Sequence, residues 1–181
     1  MASVAGMRLA FFHGAGGYDE DRPLAAAVAA ALGATLDYPR LPDHDMSVAG
    51  WTTPIIAGLR SLSAGDRVVA HSFGASMMLQ ALSRPVPAPS GAVLLAMPSW
   101  APDAWDVADY AFTGPEPATR LRLHHCRDDD VVPFGHLALN AALLPSAALI
   151  EHDVGGHQFD GLAQAIAAST DSASGVPRPP R

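Results

Sequence analysis

The chain has 181 residues, 49% of them apolar and 16% charged, a composition that folds around a core and a length that favours one domain. Its formal net charge is −7 and all 11 basic residues are Arg, so it has neither the basic footprint of a nucleic-acid binder nor a polybasic membrane anchor. The lack of Lys also excludes a Schiff-base enzyme, a Ser-Lys hydrolase and a P-loop nucleotide hydrolase, and the single Cys126 excludes an internal disulfide.

Arg8 to His13 is a short apolar run, a predicted strand that breaks into the glycine loop His13-Gly14-Ala15-Gly16-Gly17. A helix is expected over Asp21 to Leu32, with Pro23 in its first turn and Gly33 as its stop. A second strand, Ala34 to Tyr38, runs into Pro39. Ser47 to Leu62 reads as helix, which Pro54 either kinks or restarts with Thr53 as cap. Gly65-Asp66 then turns into a third strand, Arg67 to His71, followed by a helix over Ser72 to Leu82 and a proline-rich loop, Arg84 to Ser90. Further strands are predicted at Ala92 to Ala96, Arg120 to His125 and Ala147 to His152, and helices at Gly135 to Leu144 and Gln158 to Ala168.

This alternation is the signature of a parallel sheet covered by helices. Two stretches stand outside it. Pro98 to Thr119 is aromatic and acidic, either a functional insertion or a cover that seals the sheet end. Residues 170–181 are rich in Ser, Gly and Pro without periodicity, and a disordered tail is expected after a domain spanning 1–169. No basic segment with an apolar run opens the chain, and no apolar run approaches the ~18 residues of a membrane span, so a cytoplasmic protein without membrane or nucleic-acid partners is expected.

Ser72 lies between a predicted strand and helix, with the small residues Ala70 and Gly74 two positions to either side. A nucleophile elbow needs such neighbours, because its tight turn brings backbone against backbone. An ordinary helix cap is the competing role for Ser72. Asp128, Asp129 and Asp130 follow the fifth strand, and His157 follows the sixth in a glycine-flanked loop. Loops at these strand ends are where open α/β sheets gather their sites. A serine hydroxyl attacks only when an imidazole takes its proton and a carboxylate orients that imidazole. The glycine loop does not give the G-x-G-x-x-G spacing of a dinucleotide site. Cys126 lacks an elbow and reads as a buried thiol, and His71 is expected to point away from Ser72 and to pack or bond locally.

The runs His13 to Gly17, Ala70 to Gly74, Asp129 to Pro133 and Gly155 to His157 resemble the α/β-hydrolase superfamily, in its small form without a large cap domain. Within it the chain is similar to the small serine hydrolases typified by retinoblastoma-binding protein nine. The Ala at position 70 departs from the usual Gly. The resemblance implies a doubly wound sheet of about six parallel strands, first strand central. It selects Asp129, four residues before Pro133, as the triad acid with Ser72 and His157, leaving Asp128 and Asp130 as solvated turn acids. It places an oxyanion hole at the backbone N–H groups of Ala15 and Phe73. The implied reaction is cleavage of a small ester, thioester or amide through an acyl-enzyme, requiring no cofactor or metal. His13, Trp100 and Trp105 are candidate substrate contacts. A non-catalytic binding protein for a partner or small ligand is the alternative.

Overall fold

Apolar side chains alternate along each inner strand, so each strand feeds two cores. A computed structural model describes residues 6–87 and 89–170. Its strands are β1 (Arg8–Phe12), β2 (Thr35–Asp37), β3 (Arg67–His71), β4 (Gly91–Leu95), β5 (Arg120–Cys126) and β6 (Ala148–His152). All pair in parallel, in the order β2-β1-β3-β4-β5-β6. Its helices are α1 (Arg22–Leu32), α2 (Val48–Arg60), α3 (Ser72–Leu82), α4 (His136–Leu143) and α5 (Ala163–Ser169).

Leu9, Phe11, Val69, Val93 and Leu95 face α1 and α5, which pack against each other on one side of the sheet. Ala10, Phe12, Val68, Ala70 and Leu94 face the other side, covered by α2 and α3 and joined by Trp51, Phe73, Met77 and Met78. Strands buried on both faces read as near-continuous apolar runs, which is why β1, β3 and β4 were legible. The expected doubly wound sheet with helices on both faces is present. Its first strand is not central, however: β1 lies second from the edge, and β3 and β4 occupy the middle. The order of strand succession across the sheet reverses between the parallel β1 and β3, from which the chain proceeds to opposite edges and whose following helices lie on opposite faces. That opens a crevice at their C-terminal ends.

Three local details differ from expectation. Helix α2 runs continuously through Pro54 and is capped by Ser47, whose side chain accepts from Gly50 N; Thr53 is not its cap. Tertiary packing of Trp51, Ile55 and Leu59 holds the helix across the missing amide. Helix α5 starts at Ala163 rather than Gln158, because Phe159 and Gly161 adopt positive φ of 54° and 76°. Thr170 caps α5 and is buried, bonded to Ala167 O, whereas residues 171–181 of the expected tail lie outside the described residues. Pro98 to Thr119 forms turns with no helix or strand, and Trp100, Tyr110 and Phe112 pack onto the α2–α3 core. No helix among the described residues is long and apolar enough to cross a membrane.

Candidate active site

The chain passes from extended backbone at His71 directly into α3, and Ser72 absorbs the turn at φ 51°. A non-glycine residue at that angle is strained by ~1–2 kcal/mol, a cost the surrounding packing must hold. That packing is tight. A Cβ at Gly74 would lie 2.2 Å from the His13 carbonyl oxygen and 2.8 Å from that of Phe12. Ala70 is fully buried, paired with Phe12 on one side and Leu94 on the other. Ser72 is not a helix cap, since His71 holds the N-cap position and makes no capping bond.

The glycine loop after β1 closes over this elbow. A Cβ at Gly14 would meet Ser72 Cβ at 3.0 Å and Ser72 Oγ at 3.5 Å, so glycine is what lets the loop approach the hydroxyl. Three loop amides are engaged: Gly14 N donates to Asp21 Oδ2 (2.7 Å), Gly16 N to Asp43 Oδ1 (2.7 Å) and Gly17 N to Gly14 O (3.0 Å). Ala15 lies between them, exposed. Phe73 is in the first turn of α3, where backbone N–H groups have no acceptor within the helix.

After β5, Asp129 turns inward with its carboxylate buried. Oδ1 accepts from the amides of Val131 and Val132, both at 2.9 Å, and His157 Nδ1 lies 2.9 Å from Oδ2 and 3.1 Å from Oδ1. Burial pushes this carboxyl up, but the His157 and valine hydrogen bonds and the imidazole charge outweigh it and hold it below the usual carboxylate range. His125 Nε2 donates to Val132 O (2.8 Å), bracing the same turn. With Nδ1 of His157 committed to Asp129, Nε2 is the nitrogen available to take a proton.

The His157 loop bends through Gly155 at φ 141° and Gly156 at φ 61°. The carboxylate of Asp128 accepts from Gly155 N (3.2 Å) and Gly156 N (2.9 Å). Asp128 therefore shapes the histidine loop and is not merely a solvated turn acid. Asp130 is exposed. It borders, with Glu20, Asp160, Gln158 and His157, an open recess of about 470 Å³.

His71 does not bond locally. Its Nδ1 lies 2.8 Å from Asp21 Oδ2, its Nε2 2.9 Å from the His157 carbonyl oxygen, and its ring 4.6 Å from the His157 ring. Burial raises the Asp21 carboxyl, but contacts with His71, Gly14 and Gln158 prevail and hold it low. Neither residue's role was visible in the sequence. Asp21 reads as the start of a helix, yet it makes no capping bond, because its side chain is turned to these partners 50 and more residues away, and to Gly14.

The candidate substrate contacts fare differently. His13 is fully buried, with Nδ1 at 2.7 Å from Gly14 O and Nε2 accepting from Leu41 N (2.8 Å), so both nitrogens are used in bracing loops. It is therefore not placed to touch substrate. Trp100 donates Nε1–H to Ser76 Oγ (2.9 Å) and meets Phe73, Trp105 and Tyr110 edge-on at 5.0–5.7 Å. Trp105 is 39% exposed at the rim of this cluster. Beneath it lies an apolar cavity of about 160 Å³, bordered by Leu79, Met97, Trp100, Tyr110 and Phe112. Cys126 is buried. Its thiol is pushed up to about 12 by burial and then by the charges of Asp128 and Asp129, so it is no rival nucleophile.

No protein-family model matches the sequence, and no curated protein matches it. Solved structures do share the fold. The ydeN gene product of B. subtilis is 19% identical with a TM-score of 0.71, covering 91% of this chain and 98% of that one. Est1E from Butyrivibrio proteoclasticus is 14% identical with a TM-score of 0.70, covering 93% and 87%. A Xanthomonas campestris pv. campestris protein named as a hydrolase of the α/β superfamily is 20% identical with a TM-score of 0.65, covering 91% and 95%. The six-stranded sheet thus has the architecture of the small α/β-hydrolase fold, with no large cap among the described residues.

Proposed function

We propose that the chain is a serine hydrolase that cleaves a small ester, thioester or amide through an acyl-enzyme on Ser72, in the manner of the small hydrolases typified by retinoblastoma-binding protein nine. The observation that carries this reading is the strained elbow at Ser72, set against a glycine loop and joined through His71 to the Asp129–His157 pair. A binding module has no use for a serine held at positive φ.

In this reading Ser72 Oγ attacks the acyl carbonyl while His157 Nε2 takes its proton, and Asp129 holds the imidazole in the Nδ1–H tautomer and balances its charge. The oxyanion accepts from the N–H groups of Ala15 and Phe73. Collapse breaks the bond to the leaving group, which receives the proton from His157. Water, deprotonated by His157, then attacks the acyl-enzyme and releases the acid and Ser72. The acids Glu20, Asp130 and Asp160 around the recess disfavour anionic substrates, and the aromatic cluster beyond Phe73 suits an apolar group. The buried free thiol suits a reducing cytoplasm.

A fluorophosphonate probe tests the proposal. The folded chain is expected to label on Ser72, and Ser72→Ala to abolish labelling and lower ester turnover by about 10⁴-fold or more while unfolding at the same temperature. Folded wild-type protein that does not label would overturn the hydrolase reading in favour of a binding protein. A panel of nitrophenyl esters of graded chain length beside aminoacyl amides would then define the acyl group.

A further inference from the structure

The loop that carries His157 turns through positive φ at Gly155, Gly156 and Phe159 and closes on itself through Asp160 N–Gly155 O (2.8 Å) and Phe159 N–Gly156 O (3.4 Å). It is also fastened from outside, on both sides of the His157 ring. Asp128 fastens one end through two amides. At the other end the His157 carbonyl oxygen, besides Nδ1 the only atom of this residue bonded among the described residues, meets His71 Nε2.

A carbonyl oxygen only accepts, so His71 Nε2 must carry a proton. Asp21 Oδ2 takes the Gly14 amide and Oδ1 the Gln158 side-chain amide, so this carboxylate is an acceptor throughout and His71 Nδ1 must donate to it. The ring is 1% exposed, and the titratable groups facing it are Asp21 from the loop before α1, His157 from the loop after β6 and His125 from β5. A neutral ring would set a bare nitrogen against one of two acceptors, a buried polar group left unsatisfied.

We propose that His71 is an imidazolium paired with Asp21, and that this pair is a positioning device for the reaction proposed above: Asp21 fastens the glycine loop at Gly14, while His71, one residue before Ser72, fastens the His157 backbone. One buried ion pair thereby ties the oxyanion loop, the nucleophile and the proton carrier into a single frame. Such a pair adds little net stability but fixes a unique arrangement. Both residues are buried, at 1% exposure, so the effect belongs to geometry, where misplacement by an ångström costs about 10²-fold in rate.

Two measurements on the full chain decide it. In ¹⁵N-histidine-labelled protein at pH 7, both ring nitrogens of His71 are expected to be proton-bearing; a His71 ring with one bare nitrogen overturns the proposal. That readout is independent of activity, so it separates failure here from failure of Ser72 to label. In the second, hydrolysis of p-nitrophenyl acetate is compared in His71→Asn, whose amide reaches Asp21 but not His157, and His71→Gln, whose amide reaches the His157 carbonyl. His71→Asn is expected to lose about 10²-fold in kcat with KM within about twofold, and His71→Gln to recover much of that loss. Wild-type kcat in folded His71→Asn, or equal losses in both variants, overturns the positioning role. Should His71→Asn not fold, the nitrogen signature of the wild-type ring stands as the test.

Discussion

At the scale of single residues, the carboxylate of Asp129 is the most constrained group in the site. Its Oδ1 faces two backbone donors, Val131 N and Val132 N, so in Asp129→Asn the amide oxygen must stay there and the NH₂ must face His157. That NH₂ donates to Nδ1 and forces the proton onto Nε2, the tautomer that cannot receive the serine proton. Asp129→Asn is therefore expected to lower kcat by about 10⁴-fold with little change in unfolding temperature. Asp128→Asn loses one of two exposed bonds to the glycine amides and should cost less than about tenfold. Steady-state kinetics of the two variants gives the ranking, and the reverse order would move the triad acid to Asp128. The family resemblance singles out Asp129 by its distance to Pro133, but Asp128's hold on Gly155 and Gly156 spans 27 residues of chain and leaves no local pattern. The tie from His71 to His157 is invisible in the sequence for the same reason. Neighbouring side chains on a strand do point apart, but the loop after β6 folds back over the sheet edge to meet it.

At the scale of elements, the elbow depends on two backbones touching where a side chain would stand. Gly74 packs against the His13 and Phe12 carbonyls, so Gly74→Ala must displace either α3 or the glycine loop. We expect it to destabilise the fold by about 3 kcal/mol and to abolish fluorophosphonate labelling, read by urea unfolding and by the probe. Native stability together with full labelling would mean that the loop yields freely. Helix α2 shows the opposite case, where a local rule gives way. Pro54 argues for a break, yet Ser47 caps the helix and the buried face of Trp51, Ile55 and Leu59 carries it through. Helix α5 is shorter than its sequence pattern suggests, because the positive φ of Phe159 belongs to the His157 loop rather than to any propensity of its own.

For the molecule as a whole, acid is the condition that should loosen it. Burial holds His13, His124, His125, His136 and His152 below the ordinary imidazole range, His124 down to about 3. The unfolded chain protonates these rings near pH ~6.5 while the folded chain keeps them neutral, so unfolding takes up protons and stability falls as pH drops below that value. Asp21 and Asp129, held low, contribute stability above pH ~4 that is lost as pH falls through their lower folded values. The unfolding temperature is expected to decline steadily from pH 7 to pH 4, and His124→Gln to flatten the accompanying fall in unfolding free energy by up to about 1.4 kcal/mol per pH unit. An unfolding temperature constant over that range would contradict the buried neutral state of these rings. Apolar strand runs, glycine loops and the small residues around Ser72 are local patterns, and by themselves they determined the sheet, its helices and the elbow. Tertiary structure alone decided that β1 sits off-centre, that His13 is sealed inside, and that Asp21 and His71 meet beneath the candidate triad. Those outcomes rest on hydrogen bonds between segments distant in the chain, and local patterns record the demands of a turn or a face, not which remote partner will meet them.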